Sequence, residues 1–120
     1  MSLIPRDMAK LGLLVLNRGR WGEWQIVAAD WIVQATQKHS DGGFPLGVEY
    51  GYLWWLPTMA DYPAVAAFGS GGQFIVVFPQ LNAVVVITAD VNNANPYLLS
   101  MIEEYVMPAL ANNHQRIASP

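Results

Sequence analysis

The sequence contains no cysteine and few charged residues, and these shortages exclude several classes of protein. Without cysteine the chain has no disulfide bonds and no thiolate metal site. Charged residues make up 12% of the sequence, against about 25% in ordinary soluble domains. No Lys or Arg lies between His39 and His114, and the formal net charge is −3. We therefore expect no nucleic-acid partner, because no basic surface is available to neutralise phosphates.

Long apolar runs and cofactor motifs are also missing. No run approaches the roughly 20 residues that a membrane-spanning helix needs, so no membrane span is predicted. The glycines at 69, 71 and 72 precede an apolar strand pattern rather than a helix, which is the wrong context for a phosphate-binding loop. The aspartates do not cluster as they do in a calcium loop. We expect no cofactor and no metal, and the compartment is left open between the cytoplasm and an exported location.

Apolar and aromatic residues are abundant instead, with a hydrophobic fraction of 53% that includes five Trp, five Tyr and four Phe. A chain of 120 residues is one domain or part of one. The chain is either a complete small domain with a large apolar surface or a segment whose partner surfaces are missing. We favour the second interpretation, a single partial domain over residues 1–120, because large exposed apolar patches usually mark interaction surfaces. Self-association through an open strand edge is then expected.

The sequence is organised around a glycine cluster followed by two apolar runs, at residues 74–78 and 83–87. Both runs are rich in β-branched and aromatic residues, and four residues separate them, which predicts a β-hairpin. Neither run alternates with polar residues, so both faces of the hairpin should be covered. Residues 50–56 are predicted to form a third strand that ends at Pro57, and a loop containing Asp61 and Pro63 is predicted to connect it to the hairpin.

Helical periodicity appears on both sides of these strands. Residues 5–17 place Met8, Leu11, Leu14 and Val15 on one stripe. A second short helix is predicted over residues 30–37, with Trp31, Ile32 and Ala35 facing inward. A third is predicted to begin at Asn95, which is a good N-cap, and to kink or end at Pro108. Its apolar stripe comprises Leu98, Met101, Ile102, Tyr105 and Val106. Residues 112–120 are predicted to fray. The fold class is α+β, with a three-stranded antiparallel sheet, two N-terminal helices and a C-terminal helix.

The candidate site lies at the entry to the hairpin and contains Gly69, Ser70, Gly71, Gly72 and Gln73. Tyr52, Trp54 and Trp55 are candidate pocket aromatics, with core packing as the alternative. No serine begins a Ser-x-x-Lys pair, and Ser70 misses the Gly-x-Ser-x-Gly pattern by one position. His39 and His114 have no carboxylate at a useful spacing, so both are interpreted as solvated histidines. The residues alone therefore offer no complete catalytic set.

Four segments of the sequence, in chain order, form a recognisable set. They are Arg6-Asp7-Met8-Ala9 with Gly12-Leu13-Leu14 and Asn17-x-Gly19-x-Trp21, then Gln25-Ile26-Val27 with Asp30-Trp31-Ile32, then Tyr50-Gly51-Tyr52-Leu53-Trp54-Trp55, and finally residues 68–79 followed by 83–89. This set resembles the serine hydrolases related to β-lactamase, a family that includes class C β-lactamases, penicillin-binding carboxypeptidases, esterases and 6-aminohexanoate-dimer hydrolases. The resemblance implies that the chain is the C-terminal third of such an enzyme.

In that family the nucleophile and its lysine come from an upstream Ser-x-x-Lys helix, and a Tyr-x-Asn or Tyr-x-Ser element comes from a helical lobe. Neither motif occurs here. The resemblance implies that residues 69–73 correspond to the third element, the strand that binds substrate and stabilises the oxyanion through backbone N–H groups. This sequence departs from the family there, because Gly69 or Ser70 occupies the position where a basic side chain is usual.

Three hypotheses remain open. The chain is a segment of a serine hydrolase that needs the missing N-terminal part of the same enzyme to act on a small acyl substrate. It is alternatively a non-catalytic binding or oligomerisation module that uses the same piece of fold, or it is a structural remnant of a truncated gene. An upstream Ser-x-x-Lys would separate the first hypothesis from the other two.

Overall fold

A computed structural model describes residues 2–91 and 95–118. In chain order the elements are helix α1 (Pro5–Leu16), strands β1 (Arg20–Trp21) and β2 (Trp24–Gln25), helix α2 (Ala29–Ala35), strands β3 (Thr58–Met59), β4 (Tyr62–Pro63), β5 (Val65–Gly69), β6 (Gln73–Phe78) and β7 (Ala83–Ile87), and a C-terminal helix composed of α3 (Asn95–Met101), a π-helical turn (Ile102–Val106) and α4 (Met107–Ala118). The predicted fold class, α+β around a three-stranded antiparallel sheet, is confirmed.

The main sheet has the order β5-β6-β7, and the central strand β6 is buried on both faces. Phe74, Val76 and Phe78 face one hydrophobic cluster, and Ile75 and Val77 face the other. This division follows from the strand geometry, in which successive side chains point to opposite faces. The prediction that the hairpin is covered on both faces is therefore confirmed, and it explains why neither apolar run alternates with polar residues.

Helix α1 covers one face of the sheet and approaches β6 and β7 closely at Gly12. A Cβ at this position would meet Val84 Cγ1 and would lie 3.0 Å from Ile75 Cγ2. Met8 is buried beside Gly12, and Val15 and Leu16 pack against the same cluster. The absence of a side chain at Gly12 therefore sets how near the helix can lie to the sheet.

The C-terminal helix covers the opposite face, with Ile102 and Met107 buried. It continues through Pro108 to Ala118. Of the two outcomes predicted at Pro108, a kink or an end, the end is therefore wrong, and so is the predicted fraying of residues 112–118. Residues 119 and 120 lie outside the described part. Proline lacks an N–H and crowds the carbonyl four residues earlier. A π-helical turn precedes Pro108, with the Met107 N–H bonded to the Ile102 carbonyl. We attribute the continuation to this wider turn, which shifts the carbonyls that face the proline ring.

The predicted strand over residues 50–56 is wrong. The segment turns back on itself, because the Gly51 N–H donates to the Trp54 carbonyl at 2.8 Å and Leu53 has a φ of 65°. Only Trp55 bridges to the sheet, through two 2.8 Å backbone hydrogen bonds with Ala66. The third strand is β5, which lies in the predicted loop, and that loop also contains the β3–β4 pair.

Two predicted apolar stripes are only partly buried in this chain. In α2, Ala35 is buried, whereas Trp31 is 52% exposed, although both line the groove between α1, α2 and the sheet. In the C-terminal helix, which begins at Asn95 as predicted, Met101 and Tyr105 are exposed although they share the stripe with Ile102. The predicted loop at residues 91–94 falls largely outside the described residues. Among the described residues, no helix combines the length and apolar character needed to cross a membrane.

Candidate functional site

The glycine cluster forms the turn between β5 and β6. Gly69 pairs with Gln73 across the hairpin, which leaves Ser70, Gly71 and Gly72 as the connecting residues. Gly71 and Gly72 have φ values of 88° and 100°, which glycine adopts without the penalty that a Cβ imposes. A Cβ at Gly72 would also lie 2.7 Å from Leu98 Cδ1. The turn therefore requires glycine both for its backbone conformation and for its contact with the C-terminal helix.

Ser70 is the exposed residue of this turn. Within the described residues, its hydroxyl makes no side-chain hydrogen bond to a histidine, lysine or carboxylate that could act as a base. Serine needs such a base to become a nucleophile at neutral pH. Ser70 is thus an exposed turn residue without an activating base among the described residues.

Gln73 connects the turn to the residues that follow β7 at the same end of the sheet. Its amide nitrogen donates a hydrogen bond to the Ala89 carbonyl at 2.6 Å, between residues 16 apart in sequence. The side chain is partly buried and lines a groove between α1, α2 and the sheet. Gln73 is therefore the residue of the predicted site that is fixed in orientation and also accessible to a ligand.

This groove has a volume of ≈ 910 Å³ and lies between α1, α2 and the sheet. Its walls are mostly apolar, and its polar side chains beyond the N-terminal Ser2 are Gln73 and Thr88. The remaining lining residues are Leu3, Ile4, Pro5, Met8, Leu11, Leu14, Val15, Val27, Trp31, Ile32, Ala35, Trp54, Ala67 and Ile75. A mostly apolar wall with a few oriented polar groups is the usual composition of a small-molecule site.

The two adjacent tryptophans pack on different sides of the molecule. Trp54 lines the groove and packs against the cluster that α1 covers. Trp55 packs against the cluster beneath the C-terminal helix, with its ring 4.6 Å from that of Tyr50. The two side chains therefore point to opposite faces of the main sheet, although no regular strand produces this arrangement. Trp54 remains a candidate pocket residue, whereas Trp55 belongs to the core.

Tyr52 lies in an aromatic stack outside the glycine turn. Its ring centre is 3.8 Å from that of His39 and 5.8 Å from that of Trp31, with nearly parallel planes. His39 Nε2 lies 2.6 Å from the Gln34 carbonyl and must therefore donate its hydrogen to that oxygen. The loop histidine is exposed but fixed in place, which the sequence did not predict. The sequence could not have predicted the stacking of His39 on Tyr52, because this contact depends on how residues 50–56 turn back.

Of the predicted site residues, the structure brings Gln73 and Trp54 together in one groove and places Gly69, Ser70, Gly71 and Gly72 at the turn beside Gln73. Tyr52 and Trp55 lie elsewhere. Sequence reasoning missed Ala67 and Thr88, which also line the groove. The apolar run before Gly69, followed by a three-residue glycine turn, is the signal that would have identified β5 and hence Ala67.

Charged groups contribute little to this groove. The ammonium of Lys38 lies 2.8 Å from Asp41 and 3.0 Å from Glu49 in the exposed loop between α2 and β3. The hydrogen bond from Lys38 lowers the pKa of Asp41, and the hydrogen bond to Asp41 raises the pKa of Lys38. In the part of the chain that the structure describes, no group of three or more His, Asp or Glu side chains could hold a metal ion.

Comparison with known proteins identifies the fold. No protein-family model matches the sequence, and no curated protein matches it. Among solved structures, a protein from Bacillus anthracis assigned as a 6-aminohexanoate-dimer hydrolase matches with a TM-score of 0.59 and 24% sequence identity. The match covers 95% of this chain and 28% of that protein's chain. This chain therefore has the fold of part of that structure, and it spans little more than a quarter of that structure's length.

Proposed function

We propose that this chain is the C-terminal segment of a longer serine hydrolase with a β-lactamase-like fold. The observation that carries the proposal is the fold match along 95% of the chain to 28% of a longer protein that carries a hydrolase assignment. The four family-like segments of the sequence occur in the expected order and support the same conclusion. The longer enzyme would hydrolyse an amide, ester or β-lactam bond through a serine acyl-enzyme.

The two parts of that enzyme would have different catalytic roles. A nucleophilic serine must have a base beside it that accepts its proton as its oxygen attacks the acyl carbon. No such pair is present among the described residues, so the missing N-terminal part would supply both groups. The leaving group would then depart with a proton, and water would release the acyl group and regenerate the serine.

This chain would contribute the wall of the substrate site. The turn at residues 69–73 lies at one end of the sheet. We propose that backbone N–H groups near this turn, which are the usual kind of donor to an oxyanion, would stabilise the oxyanion of the acyl intermediate. Gln73, held by its hydrogen bond to the Ala89 carbonyl, would contact a polar group of the substrate. The apolar groove with Trp54 would accept the body of the acyl group. No basic side chain lies in this turn, so a substrate carboxylate would not be bound there through an ion pair.

The decisive experiment is to determine the length of the natural gene product by intact mass in the source cells. We expect a product about three times as long as this chain that carries Ser-x-x-Lys upstream. That product should be labelled by a fluorophosphonate or a β-lactam probe at the upstream serine, whereas the 120-residue chain should not be labelled. A natural product of 120 residues would refute the proposal.

A second candidate function is a non-catalytic binding module, which the ≈ 910 Å³ apolar groove supports. The 120-residue chain would then bind a small acyl compound without hydrolysing it. Titration with a short N-acyl amide, followed by tryptophan fluorescence, tests this because Trp31 and Trp54 line the groove. Saturable binding that is lost in Trp54→Ala and kept in Trp24→Ala would support a binding module, and no saturation up to millimolar concentrations would exclude it.

A further inference from the structure

We propose that the substrate of this site carries an ammonium group, which the carboxylate of Asp90 and the side-chain oxygen of Gln73 bind at the glycine turn. The inference rests on the proposed function, because it takes residues 69–73 and the adjoining groove as one wall of the substrate site. It adds the charge of the group that meets this wall. Three observations carry it: the position of Asp90, the orientation of the Gln73 amide, and the predominance of acceptor atoms around the turn.

Asp90 lies against the glycine turn although it follows β7 in the sequence. The Val91 N–H donates to the Gly71 carbonyl at 3.1 Å, which ties the segment after β7 to the turn. Asp90 Oδ1 lies 3.9 Å from the point that a Cβ of Gly71 would occupy. Asp90 is also exposed, so a ligand at the turn can reach its carboxylate. These contacts join residues 69–91 and do not involve the N-terminal residues of the chain.

The side-chain amide of Gln73 presents an acceptor beside the same turn. Its Nε2 donates to the Ala89 carbonyl at 2.6 Å, and a carbonyl oxygen can only accept, so the two ends of the amide are distinguished. The Oε1 atom lies 3.2 Å from the point that a Cβ of Gly69 would occupy. Among the described residues no group donates to Oε1, so this oxygen can accept a hydrogen bond from a ligand in the groove.

The polar atoms beside the turn are mainly acceptors. The Ala89 carbonyl oxygen and Asp90 Oδ1 lie 3.7 and 3.9 Å from the Cβ position of Gly71. The sequence has no Lys or Arg between His39 and His114, and among the described residues Asp90 forms no salt bridge. A ligand carboxylate would therefore meet a like charge, which is unfavourable. An ammonium group offers three donors and the opposite charge.

The groove beside the turn accommodates the rest of such a ligand. Its walls are mostly apolar and suit an alkyl or acyl chain, and Gln73 lines it. Gln73 Nε2 and Asp90 Oδ1 lie 3.6 and 3.9 Å from the same Cβ position at Gly71. A short tail that extends past Gln73 therefore reaches Asp90. The site suits an acyl compound with an apolar body and an amine at the end of a short tail.

The test titrates the 120-residue chain with three hexanoyl amides that differ only at the end of a four-carbon tail. The tail ends in an ammonium group, a methyl group or a carboxylate, and binding is followed by the fluorescence of Trp31 and Trp54, which line the groove. The ammonium ligand should bind about fivefold to tenfold more tightly than the carboxylate ligand, because interactions between exposed charges are modest. The neutral ligand should lie between them, and high salt should reduce the difference.

Charge variants test whether Asp90 is the source of this preference. Asp90→Asn should remove most of it, and Asp90→Lys should reverse it, because the charge at the turn changes sign. Asp61→Asn is the matched control, since Asp61 is the other acidic residue between residues 50 and 102 and lies between β3 and β4. It should leave the preference unchanged. Circular dichroism confirms that each variant is folded.

Three results would overturn the inference: equal affinities for the three ligands, a preference that Asp90→Asn retains, or no saturable binding of the ammonium ligand up to millimolar concentrations. None of them decides the proposed function, which depends on the length of the natural gene product and on its labelling at an upstream serine. Conversely, a natural product of 120 residues would refute the hydrolase proposal, whereas a charge preference that depends on Asp90 would still be observed.

Discussion

Strand β6 and the segment of residues 20–56 are both rich in apolar and aromatic side chains, but only the strand is buried. Every residue of β6 from Phe74 to Phe78 is buried, because helices cover both faces of the sheet. In the other segment Trp24, Phe44 and Leu53 are exposed. The difference shows that an apolar composition does not by itself bury a segment. A residue is buried only where other helices or strands of the chain pack against it.

The largest expected effect comes from removing a side chain at the centre of the sheet. Phe78 is fully buried, and Phe78→Ala should lower the free energy of unfolding by about 3–5 kcal/mol through lost burial and the cavity left behind. Urea unfolding followed by circular dichroism at fixed protein concentration measures this. Trp24→Ala is the control, because it removes a larger ring that is 75% exposed and should change stability by less than about 0.5 kcal/mol. Equal losses would show that the outer segment belongs to the core.

A smaller effect is expected where α1 meets the sheet. Alanine favours a helix over glycine by about 1 kcal/mol, but the added Cβ of Gly12→Ala would overlap Val84 Cγ1. Overpacking of this kind costs about 1–3 kcal/mol, so the variant should be less stable. In a Val84→Ala background the same change should become neutral or stabilising, and a double-mutant cycle measures that coupling. Additive effects would contradict the close contact.

The hydrogen bond from the Gln73 side chain to the Ala89 carbonyl should contribute less to the free energy of unfolding. Gln73→Ala leaves the Ala89 carbonyl without its 2.6 Å donor and should lower stability by about 0.5–1.5 kcal/mol. Gln80→Ala is the matched control, because Gln80 is exposed between β6 and β7 and has no such bond among the described residues. Thermal unfolding of both variants distinguishes them, and an equal shift would contradict a role for Gln73 in fixing the turn.

The smallest effect is expected in the exposed loop that holds Lys38 and Asp41. Because the folded-state pKa of Asp41 lies below its unfolded value, its stabilisation is present above the unfolded pKa and is lost as the pH falls through the folded one. Asp41→Asn should therefore lower the unfolding temperature slightly at neutral pH and not at strongly acidic pH. The difference should vanish at high salt, since both groups are exposed.

The raised pKa of Lys38 gives the opposite dependence of stability on pH. Its stabilisation is present below the unfolded pKa and is lost as the pH rises through the folded one. Asp61→Asn, which removes an acidic group outside this ion-pair group, is the control for Asp41→Asn. Identical pH profiles of the two variants would show that the Lys38 ion pair does not stabilise the loop.

The sequence predicted the parts of the fold that depend on local pattern. The hairpin β6–β7, the helix that begins at Pro5 and the helix that begins at Asn95 all follow from β-branched runs, helical periodicity and favourable first residues. It failed where a tertiary contact overrides the local preference. Residues 50–56 have the composition of a strand, but their backbone turns at Gly51 and Leu53 and leaves only Trp55 beside β5. Proline usually ends a helix, but at Pro108 the helix continues because a π-helical turn precedes the proline.

The candidate site could also be predicted only in part from the sequence. The glycine cluster at positions 69, 71 and 72 indicates a turn before β6, and Gly71 and Gly72 adopt positive φ values that few other residues adopt. The sequence could not predict that Gln73 reaches Ala89, since the bond joins residues brought together only when β6 and β7 pair. Nor could it separate Trp54 from Trp55, whose burial depends on which helix covers each side.

The sequence by itself determined that a two-faced apolar hairpin follows a glycine cluster and that no Ser-x-x-Lys motif occurs in the chain. These properties depend on residue types and spacing alone. The tertiary structure decided that β5 completes the sheet, that the groove forms beside Gln73 and Trp54, and that among the described residues β7 pairs with β6 alone. These three features depend on contacts between segments that are distant in sequence, and such contacts form only when the chain folds.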